Sequence, residues 1–391
     1  MYYYCSMKIT REIKKSVDQL IDKYPIIAIT GPRQSGKTTF LKSTFPEYEY
    51  INLENPDNRE FAIEDPNGFL KRFSGKTIID EVQRVPSLFS YLQSKVDEEN
   101  SMGHYILSGS QNFHLMQNIT QSLAGRVAIF RLFPFDFQEL KSENLLNSNY
   151  LSSLIKGFYP AIFSREINST IFYSNYIETY VQRDITELLE VKNLGLFKKF
   201  LSLLATRAGQ LLNLNSLANE CGISQPTAKS WLTVLESSYV VFTLQPYFEN
   251  FSKRLVKTPK IYFYDSGLLC HLLGLNDTDY LMTNPIKGAL FENMIIAEHI
   301  KRMYHKNEVV ESWFWRDSAG NEIDLLFSKN QELIVHEIKS TETIMTNQMK
   351  GLNYFEKTAI NKKVSKKLIY TGNENYIRQN CEIIPWFKVG E

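Results

Sequence analysis

A glycine-rich segment between a short apolar run and a helical stretch constrains this chain more than any other feature. Residues 25–30 are apolar and predict a buried strand, and residues 38–43 predict the first turns of a helix. The segment that joins them, GPRQSGKTT, fits the pattern G-x-x-x-x-G-K-[ST]. Because backbone N–H groups and the positive end of the helix dipole converge in such a loop, the segment predicts a phosphate-binding site.

This loop supplies the predicted nucleotide-binding residues. Lys37 is expected to reach the β- and γ-phosphates, and the hydroxyl of Thr38 is expected to ligate Mg²⁺. A nucleoside triphosphate and Mg²⁺ are therefore the expected ligands. The full predicted set is Gly31, Pro32, Arg33, Gln34, Ser35, Gly36, Lys37, Thr38 and Thr39.

A second motif is KTIIDE at residues 76–81, an apolar run that ends in two carboxylates. Asp80 is expected to hold Mg²⁺ through its water shell, and Glu81 is expected to orient or deprotonate the attacking water. A paired Asp-Glu can also be a solvated turn, but its place downstream of a P-loop favours the catalytic interpretation. Since binding alone needs only the Mg²⁺ carboxylate, Glu81 predicts a hydrolytic enzyme.

Three further residues are weaker catalytic candidates. Residues 104–108 predict another strand, after which Ser110 and Asn112 could contact the γ-phosphate or the attacking water. Serine and asparagine are common in any turn, however. Arg126 could act as an arginine finger, either in its own chain or toward a neighbouring subunit. It could equally form a surface ion pair with an acidic residue.

Length and composition define the class of protein. With 391 residues, 43% hydrophobic and 22% charged, the chain is expected to form two or three globular domains. Strand-like runs at residues 26–30, 48–53, 77–80, 105–108 and 127–133 alternate with helical patterns, which predicts an α/β fold with a parallel sheet. The expected units are a nucleotide-binding domain at 1–140, a helical connector at 141–194, a winged helix at 195–255 and a last α/β domain at 256–391.

Charge and cysteine usage limit the expected partners and compartment. The net charge of +1 provides no general attraction to nucleic acid. The four cysteines are far apart in sequence, without metal-ligand spacing, and predict free thiols. No run of eighteen apolar residues and no apolar leader segment occurs, so a cytoplasmic protein without a membrane partner is expected.

Residues 195–255 predict a winged helix-turn-helix. Two helical patterns joined by Gly222-Ile223 precede a strand-like run, an arrangement typical of that motif. Residues 195–260 hold eight Lys or Arg and three Asp or Glu. Four of the cations follow the second helix, where a wing would contact phosphates of double-stranded DNA: Lys253, Arg254, Lys257 and Lys260. Winged helices also serve as protein-packing modules, so both interpretations stay open.

The last third of the chain carries a second candidate site. The spacing D-x₁₂-E-x-K places Asp324, Glu337 and Lys339 on paired strands, with Glu337 and Lys339 on one face. Two carboxylates can hold a divalent metal while a lysine positions water for phosphodiester hydrolysis. Glu292 on a preceding helix would add a metal ligand. The alternative is an ordinary solvated strand, since E-x-K is a common surface pattern.

These motifs together resemble those of bacterial and archaeal AAA-type ATPases with a C-terminal DUF4143 region. The resemblance covers the P-loop, TIIDEVQRVP, ILSGSQNF, LAGR, IYFYDSGL, GALFEN and NEIDLLF…HEIKS. It implies ATP as the nucleotide and a C-terminal domain similar to the PD-(D/E)xK nuclease fold, with matches at Glu292, Asp324, Glu337 and Lys339. The expected function is an Mg²⁺-dependent ATPase coupled to a DNA-binding or nuclease-like region. The alternative is a nucleotide-switched DNA- or protein-binding regulator without cleavage, and oligomerisation is left open.

Overall fold

The computed structural model describes residues 9–109, 119, 122–180, 194–248, 257–309, 311–359 and 362–390. Within these residues, no helix combines the length and the apolar character needed to cross a membrane. The cysteines in the same ranges, Cys221, Cys270 and Cys381, are buried free thiols.

The N-terminal part is built on a parallel five-stranded sheet in the order β2-β3-β4-β1-β5. This confirms the predicted α/β class and parallel sheet. The strands are β1 (Ile26–Thr30), β2 (Glu49–Asn52), β3 (Thr77–Asp80), β4 (Tyr105–Gly109) and β5 (Val127–Arg131). The accompanying helices are α1 (Ile13–Leu20), α2 (Lys37–Thr44), α3 (Pro56–Glu64), α4 (Pro66–Arg72) and α5 (Leu88–Glu99).

Both faces of this sheet are buried, because side chains alternate along each strand. On β1, Ile26 and Ala28 enter a core formed with α3, α4 and α5. Ile27 and Ile29 enter a second core that includes residues of α1 and α2. Because the five strands are parallel, their carboxyl ends lie at one edge of the sheet. The nucleotide motifs lie at this edge.

The middle of the chain is helical and ends in a hairpin. Its helices are α6 (Phe137–Ser142), α7 (Tyr150–Lys156), α8 (Pro160–Ser164), α9 (Ser169–Tyr180), α10 (Leu194–Ala205), α11 (Leu214–Cys221) and α12 (Gln225–Ser237). Gly222 ends α11 at φ 82°, and the side chain of Ser224 caps α12 by accepting from the Thr227 N–H. The antiparallel strands β6 (Val241–Pro246) and β7 (Lys260–Phe263) follow.

The C-terminal part contains a mixed sheet of eight strands in the order β12-β13-β11-β10-β9-β8-β6-β7. Its later elements are α13 (Ser266–Leu272), α14 (Thr278–Thr283), α15 (Lys287–His305), β8 (Ser312–Arg316), β9 (Glu322–Lys329), β10 (Glu332–Lys339), α16 (Lys350–Thr358), β11 (Lys363–Tyr370), β12 (Tyr376–Arg378) and β13 (Cys381–Pro385). Strand β6 pairs with β8 through Gln245 and Trp313. The hairpin therefore belongs to this sheet, which crosses the boundary expected near residue 255.

A buried arginine fastens the N-terminal segment to the nucleotide loop. Arg11 donates from Nε to Glu139 at 2.9 Å, from Nη1 to the Ser35 carbonyl at 3.0 Å and from Nη2 to the Phe133 carbonyl at 2.5 Å. Both charged side chains are almost fully buried. One guanidinium thus joins the segment before α1, the P-loop and the chain that follows β5.

The far end of α15 joins the same network. His305 donates from Nδ1 to Asp136 at 2.8 Å, and its Nε2 accepts from the Phe133 N–H at 3.3 Å. Asp136 also caps α6 through the Glu139 N–H. Although ligand atoms of Asp136, Glu139 and His305 lie within 4.8 Å of one another, both imidazole nitrogens are used by the protein. Asp136, Glu139 and His305, together with Arg11, therefore form a buried structural network, called the joint below.

Replacing Arg11 tests this joint. Arg11→Met leaves the Glu139 carboxylate buried without its charged partner, so we expect the free energy of unfolding to fall by about 3–5 kcal/mol. Urea unfolding followed by circular dichroism measures the change. Lys14→Met is the matched control, since Lys14 forms an exposed pair with Asp18, and no measurable loss is expected there. Equal stability of both variants would contradict the role of Arg11.

Candidate functional site

The P-loop lies between β1 and α2, as its sequence predicts. Gly31 adopts φ 149°, and a Cβ atom there would lie 2.1 Å from the carbonyl oxygen of Leu132. Gly36 precedes α2 at φ 92°. At position 31, only glycine permits the close approach to Leu132, which follows β5. The loop is therefore packed directly against the end of its neighbouring strand.

The Lys37 side chain folds back over the loop. Its Nζ donates to the carbonyls of Gly31 and Pro32 at 2.9 and 2.8 Å. The ammonium is therefore held above the loop that would cradle phosphates. Phosphate oxygens are stronger acceptors for a charged donor than neutral carbonyls, so the geometry suits exchange of these contacts for a nucleotide.

Asp80 at the end of β3 contacts Thr38 in the first turn of α2. Its Oδ2 accepts from the Thr38 hydroxyl at 2.8 Å and from the Tyr50 hydroxyl at 2.6 Å, while its Oδ1 accepts from the Ser108 hydroxyl. Burial and the hydrogen bond to Asp80 raise the pKa of Tyr50 well above its usual value. Sequence reasoning missed Tyr50 and Ser108. The Ser108 contact follows from sheet register, since Ser108 is the β4 partner of Asp80.

Glu81 lies just beyond the sheet edge in a left-handed conformation, φ 55° and ψ 39°. Gln83 donates to its Oε2 at 2.5 Å. Glu81 lines a pocket of about 360 Å³ together with Lys37, and Thr179 of α9 also lines this pocket. The remaining lining residues are Arg33, Gln34, Gly36, Thr38 and Thr39. Thr179 is distant in sequence, and no local pattern indicates its position.

A second pocket of about 340 Å³ lies beside the first. The two share Gly36 and Thr39 as lining residues. Its lining is mixed and comes from the segment before α1, from α1 and α2, and from the chain around α8. Ile9, Phe40, Phe135 and Pro160 are apolar, whereas Thr10, Arg11, Lys14, Ser43, Thr44 and Ser164 are polar or charged. The start of the P-loop helix therefore lines two adjoining pockets, and the second offers more apolar surface than the first.

Two of the weaker predictions fare differently. Ser110 and Asn112 lie outside the described residues. Arg126 precedes β5 at the amino edge of the sheet, and its carbonyl accepts from the Ile26 N–H. It donates to both carboxylate oxygens of Asp97 at 2.6 and 2.8 Å. The structure therefore shows the surface ion pair, and an arginine-finger role within the same chain stays a prediction. A role toward a neighbouring subunit stays a prediction.

The C-terminal motif residues lie together on the eight-stranded sheet. Lys339 Nζ contacts Glu337 Oε1 and lies 3.9 Å from Asp324 Oδ2. Asp324 also accepts from the Ile338 N–H at 2.8 Å. Burial, and then the charge of Asp324, raise the pKa of Glu337 to about 8. The strands therefore bring two predicted metal ligands and the predicted lysine to one place, and they are not a fully solvated surface.

Glu292 approaches the same region from α15. Its Oε1 accepts from Lys260 Nζ at 3.1 Å and from the Tyr262 hydroxyl at 2.6 Å. Lys260 also contacts Glu322. Burial by itself would lower the pKa of Lys260, but the charges of Glu292, Asp324 and Glu322 raise it above its usual value. Sequence reasoning assigned no site role to Tyr262 or Glu322.

The position of Lys260 corrects the prediction that it contributes to a basic wing. Lys260 is 3% exposed and its ammonium is enclosed by carboxylates, so it cannot contact phosphates from the surface. Lys253 and Arg254 lie outside the described residues. The excess positive charge of residues 195–260 is also partly neutralised, because Lys198 pairs with Glu178 and Arg207 pairs with Glu220.

Comparison with known proteins covers most of the chain. Residues 23–141 match an AAA domain, residues 147–279 a domain of unknown function (DUF8612), and residues 287–389 a domain of unknown function (DUF4143). The Walker-type ATPase PABY2304 of Pyrococcus abyssi superposes with a TM-score of 0.43 at 14% identity, over 67% of this chain and 94% of that one.

Two uncharacterized proteins are similar over much of their length. MJ1637 of Methanocaldococcus jannaschii is 24% identical over 437 residues, 96% of this chain and 86% of that protein. Rv2008c of Mycobacterium tuberculosis is 31% identical over 344 residues, 87% of this chain and 76% of that protein. With the AAA domain and the DUF4143 region matched in one chain, the protein belongs to the family of AAA-type P-loop ATPases that carry a C-terminal DUF4143 region.

Proposed function

We propose that the N-terminal part binds ATP with Mg²⁺ and hydrolyses it. The observation that carries this proposal is the 2.8 Å hydrogen bond between the Thr38 hydroxyl and the Asp80 carboxylate. This bond brings the P-loop and the end of β3 to one point, with Lys37 and Glu81 lining the same pocket. A lysine for the phosphates, a hydroxyl and a carboxylate for Mg²⁺ and a second carboxylate for the attacking water, all used in phosphoryl transfer, therefore support the proposal.

The oxygen donors at this point fit Mg²⁺, which prefers hydroxyl, carboxylate and water ligands. Thr38 and Asp80 would hold the ion, and when bound it would neutralise charge on the phosphate oxygens. Lys37 would bind the β- and γ-phosphates. Glu81 would accept a proton from the attacking water, and its contact with Gln83 orients the carboxylate.

The adjoining pocket, whose lining combines apolar and polar side chains, is the proposed place for the nucleotide base. It begins at Gly36 and Thr39, where the phosphate compartment ends, and Phe40, Phe135 and Pro160 provide apolar surface for a planar ring. Adenine in preference to guanine is proposed from family membership. Competition between ATP and GTP for the purified protein tests that choice, and tighter GTP binding would overturn it.

Removing the Lys37 charge tests the phosphate site. Lys37→Ala is expected to weaken ATP binding by about 10- to 100-fold, because charge-assisted hydrogen bonds to the phosphates are lost. Isothermal titration calorimetry measures the affinity. Lys71→Ala removes an exposed lysine from α4 and should leave the affinity unchanged. Unaltered binding by Lys37→Ala would place the nucleotide elsewhere.

Replacing Glu81 separates binding from chemistry. Glu81→Gln is expected to keep the ATP affinity and to lower the turnover rate by about 10²–10⁴-fold, since the amide cannot accept the water proton. Phosphate release under saturating ATP measures turnover. The control is Glu64→Gln, an exposed carboxylate at the end of α3. Undiminished hydrolysis by Glu81→Gln would remove this residue from the mechanism.

The second candidate function is DNA binding through a winged helix formed by α10, α11, α12 and the β6–β7 hairpin. The observation that favours it is the amphipathic character of α12. Ala228, Trp231, Leu232 and Leu235 are buried, whereas the other face exposes Gln225, Lys229, Ser230 and Thr233. A second helix with an exposed polar face is the element that enters a DNA groove in such motifs.

A salt titration tests this candidate. Binding of duplex DNA should weaken steeply with salt, and Lys229→Gln should reduce the slope of log K against log salt by about 0.9, the effect of one lost phosphate contact. Filter binding measures the slope, with Lys71→Gln as the control that leaves it unchanged. Salt-independent binding, or none, would favour a protein-interaction role for this unit.

For the C-terminal sheet we propose a nuclease-like scaffold built on Asp324, Glu337 and Lys339. The carboxylates of this region are residue types that suit a divalent metal. Their ion pairs do not suit a metal, because Lys339 pairs with Asp324 and Glu337 and Lys260 pairs with Glu292 and Glu322. Two ammonium groups thus contact four carboxylates, and the buried Oε2 of Glu337 has no hydrogen-bond partner among the described residues. No hydrolytic step is assigned to this region.

A further inference from the structure

We propose that Lys260 is a resident cation of the C-terminal carboxylate cluster, which comprises Glu292, Glu322, Asp324 and Glu337. Its ammonium occupies the place between Glu292 and Glu322 that a divalent metal ion would need, and thereby keeps Mg²⁺ or Mn²⁺ out of the cluster. This inference rests on the nuclease-like arrangement proposed above and is independent of ATP hydrolysis at the P-loop.

The hydrogen bonds of Glu292 show why the place is taken. Its Oε1 accepts from Lys260 Nζ at 3.1 Å and from the Tyr262 hydroxyl at 2.6 Å. A carboxylate oxygen offers two lone pairs, and these two donors use both. A metal ion at this oxygen would have to displace a buried ammonium, and Lys260 would then lose a partner inside the protein.

The main chain holds Lys260 at a fixed position. Its backbone pairs with Leu244 of β6 on one side and forms a bridge to Leu211 on the other. On either side of Lys260, the Leu212 N–H donates to the Pro259 carbonyl at 2.8 Å and the Ile261 N–H to the Gln210 carbonyl at 3.2 Å. Unlike a mobile surface lysine, this residue enters the cluster from a paired strand, and its side chain is 4% exposed.

The charges of the cluster are already distributed between two ammonium groups. Lys339 lies on Glu337 and Asp324, and Lys260 lies on Glu292 and Glu322. Arg316 adds a third positive charge 3.5 Å from Glu322. A dication introduced between Glu292 and Glu322 would meet strong repulsion from the buried ammonium of Lys260 at short range. On the other side of the cluster, the buried Oε2 of Glu337 has no hydrogen-bond partner among the described residues.

Mn²⁺ binding to nucleotide-free full-length protein tests the proposal, with electron paramagnetic resonance measuring the free ion. Wild-type protein should show no Mn²⁺ site that Asp324→Asn removes. Lys260→Met should gain one Mn²⁺ site, bound at least about tenfold more tightly than by the wild type. The double variant Lys260→Met/Asp324→Asn should lose that site again, and Lys260→Arg, which retains the charge, should not gain it.

The matched control is Lys366→Met. Lys366 is equally buried, on β11 of the same sheet, and pairs with Glu356 at 2.6 Å, so its removal should create no site that depends on Asp324. A wild-type Mn²⁺ site abolished by Asp324→Asn overturns the proposal, and that comparison needs no Lys260 variant to fold. A folded Lys260→Met protein without the new site also overturns it. ATP affinity measured on the same samples reports separately on the P-loop.

Discussion

The guanidinium of Arg11 is the contact on which the arrangement of the nucleotide site depends. It is held by Glu139 and donates to carbonyls of the P-loop and of the chain beyond β5. Three segments far apart in sequence are thus fixed at one buried point. Because the carbonyls need a donor and the carboxylate needs a positive charge, no apolar side chain could satisfy all three. The shape of the loop therefore depends on a residue outside the glycine-rich motif.

The same joint connects the nucleotide site to the C-terminal sheet through α15. His305, near the end of this helix, is bonded to Asp136 and to the Phe133 N–H, while Glu292, thirteen residues earlier, enters the carboxylate cluster. At 1.5 Å per residue these positions are about 20 Å apart along one rigid element. Lys301 and Glu298 of the helix also bond to backbone atoms of Phe135 and Phe137. The two candidate sites are thus parts of one packed body.

Sequence patterns were sufficient where the chemistry is local. The five strands of the parallel sheet follow from apolar runs, and the burial of Ala228 and Trp231 follows from helical periodicity. Patterns failed where contacts depend on sheet register or on distant segments. Tyr50 and Ser108 reach Asp80 only because β2 and β4 flank β3. Lys260 is part of a basic run in sequence. Because its strand pairs with β6, however, its side chain lies among acidic residues rather than in solvent.

The close approach of Gly31 to the Leu132 carbonyl has a consequence for the thermodynamics of ligand binding. A loop pressed against its neighbouring strand, and bonded to Arg11 from the other side, loses its conformational freedom when the protein folds. Nucleotide binding therefore does not have to include the entropic cost of ordering this loop. The wall formed by Thr179 belongs to a separate helix, α9, whereas the hydrogen bonds of Arg11 run to Glu139, Ser35 and Phe133. Differences in binding entropy among nucleotides should therefore arise on the α9 side of the pocket.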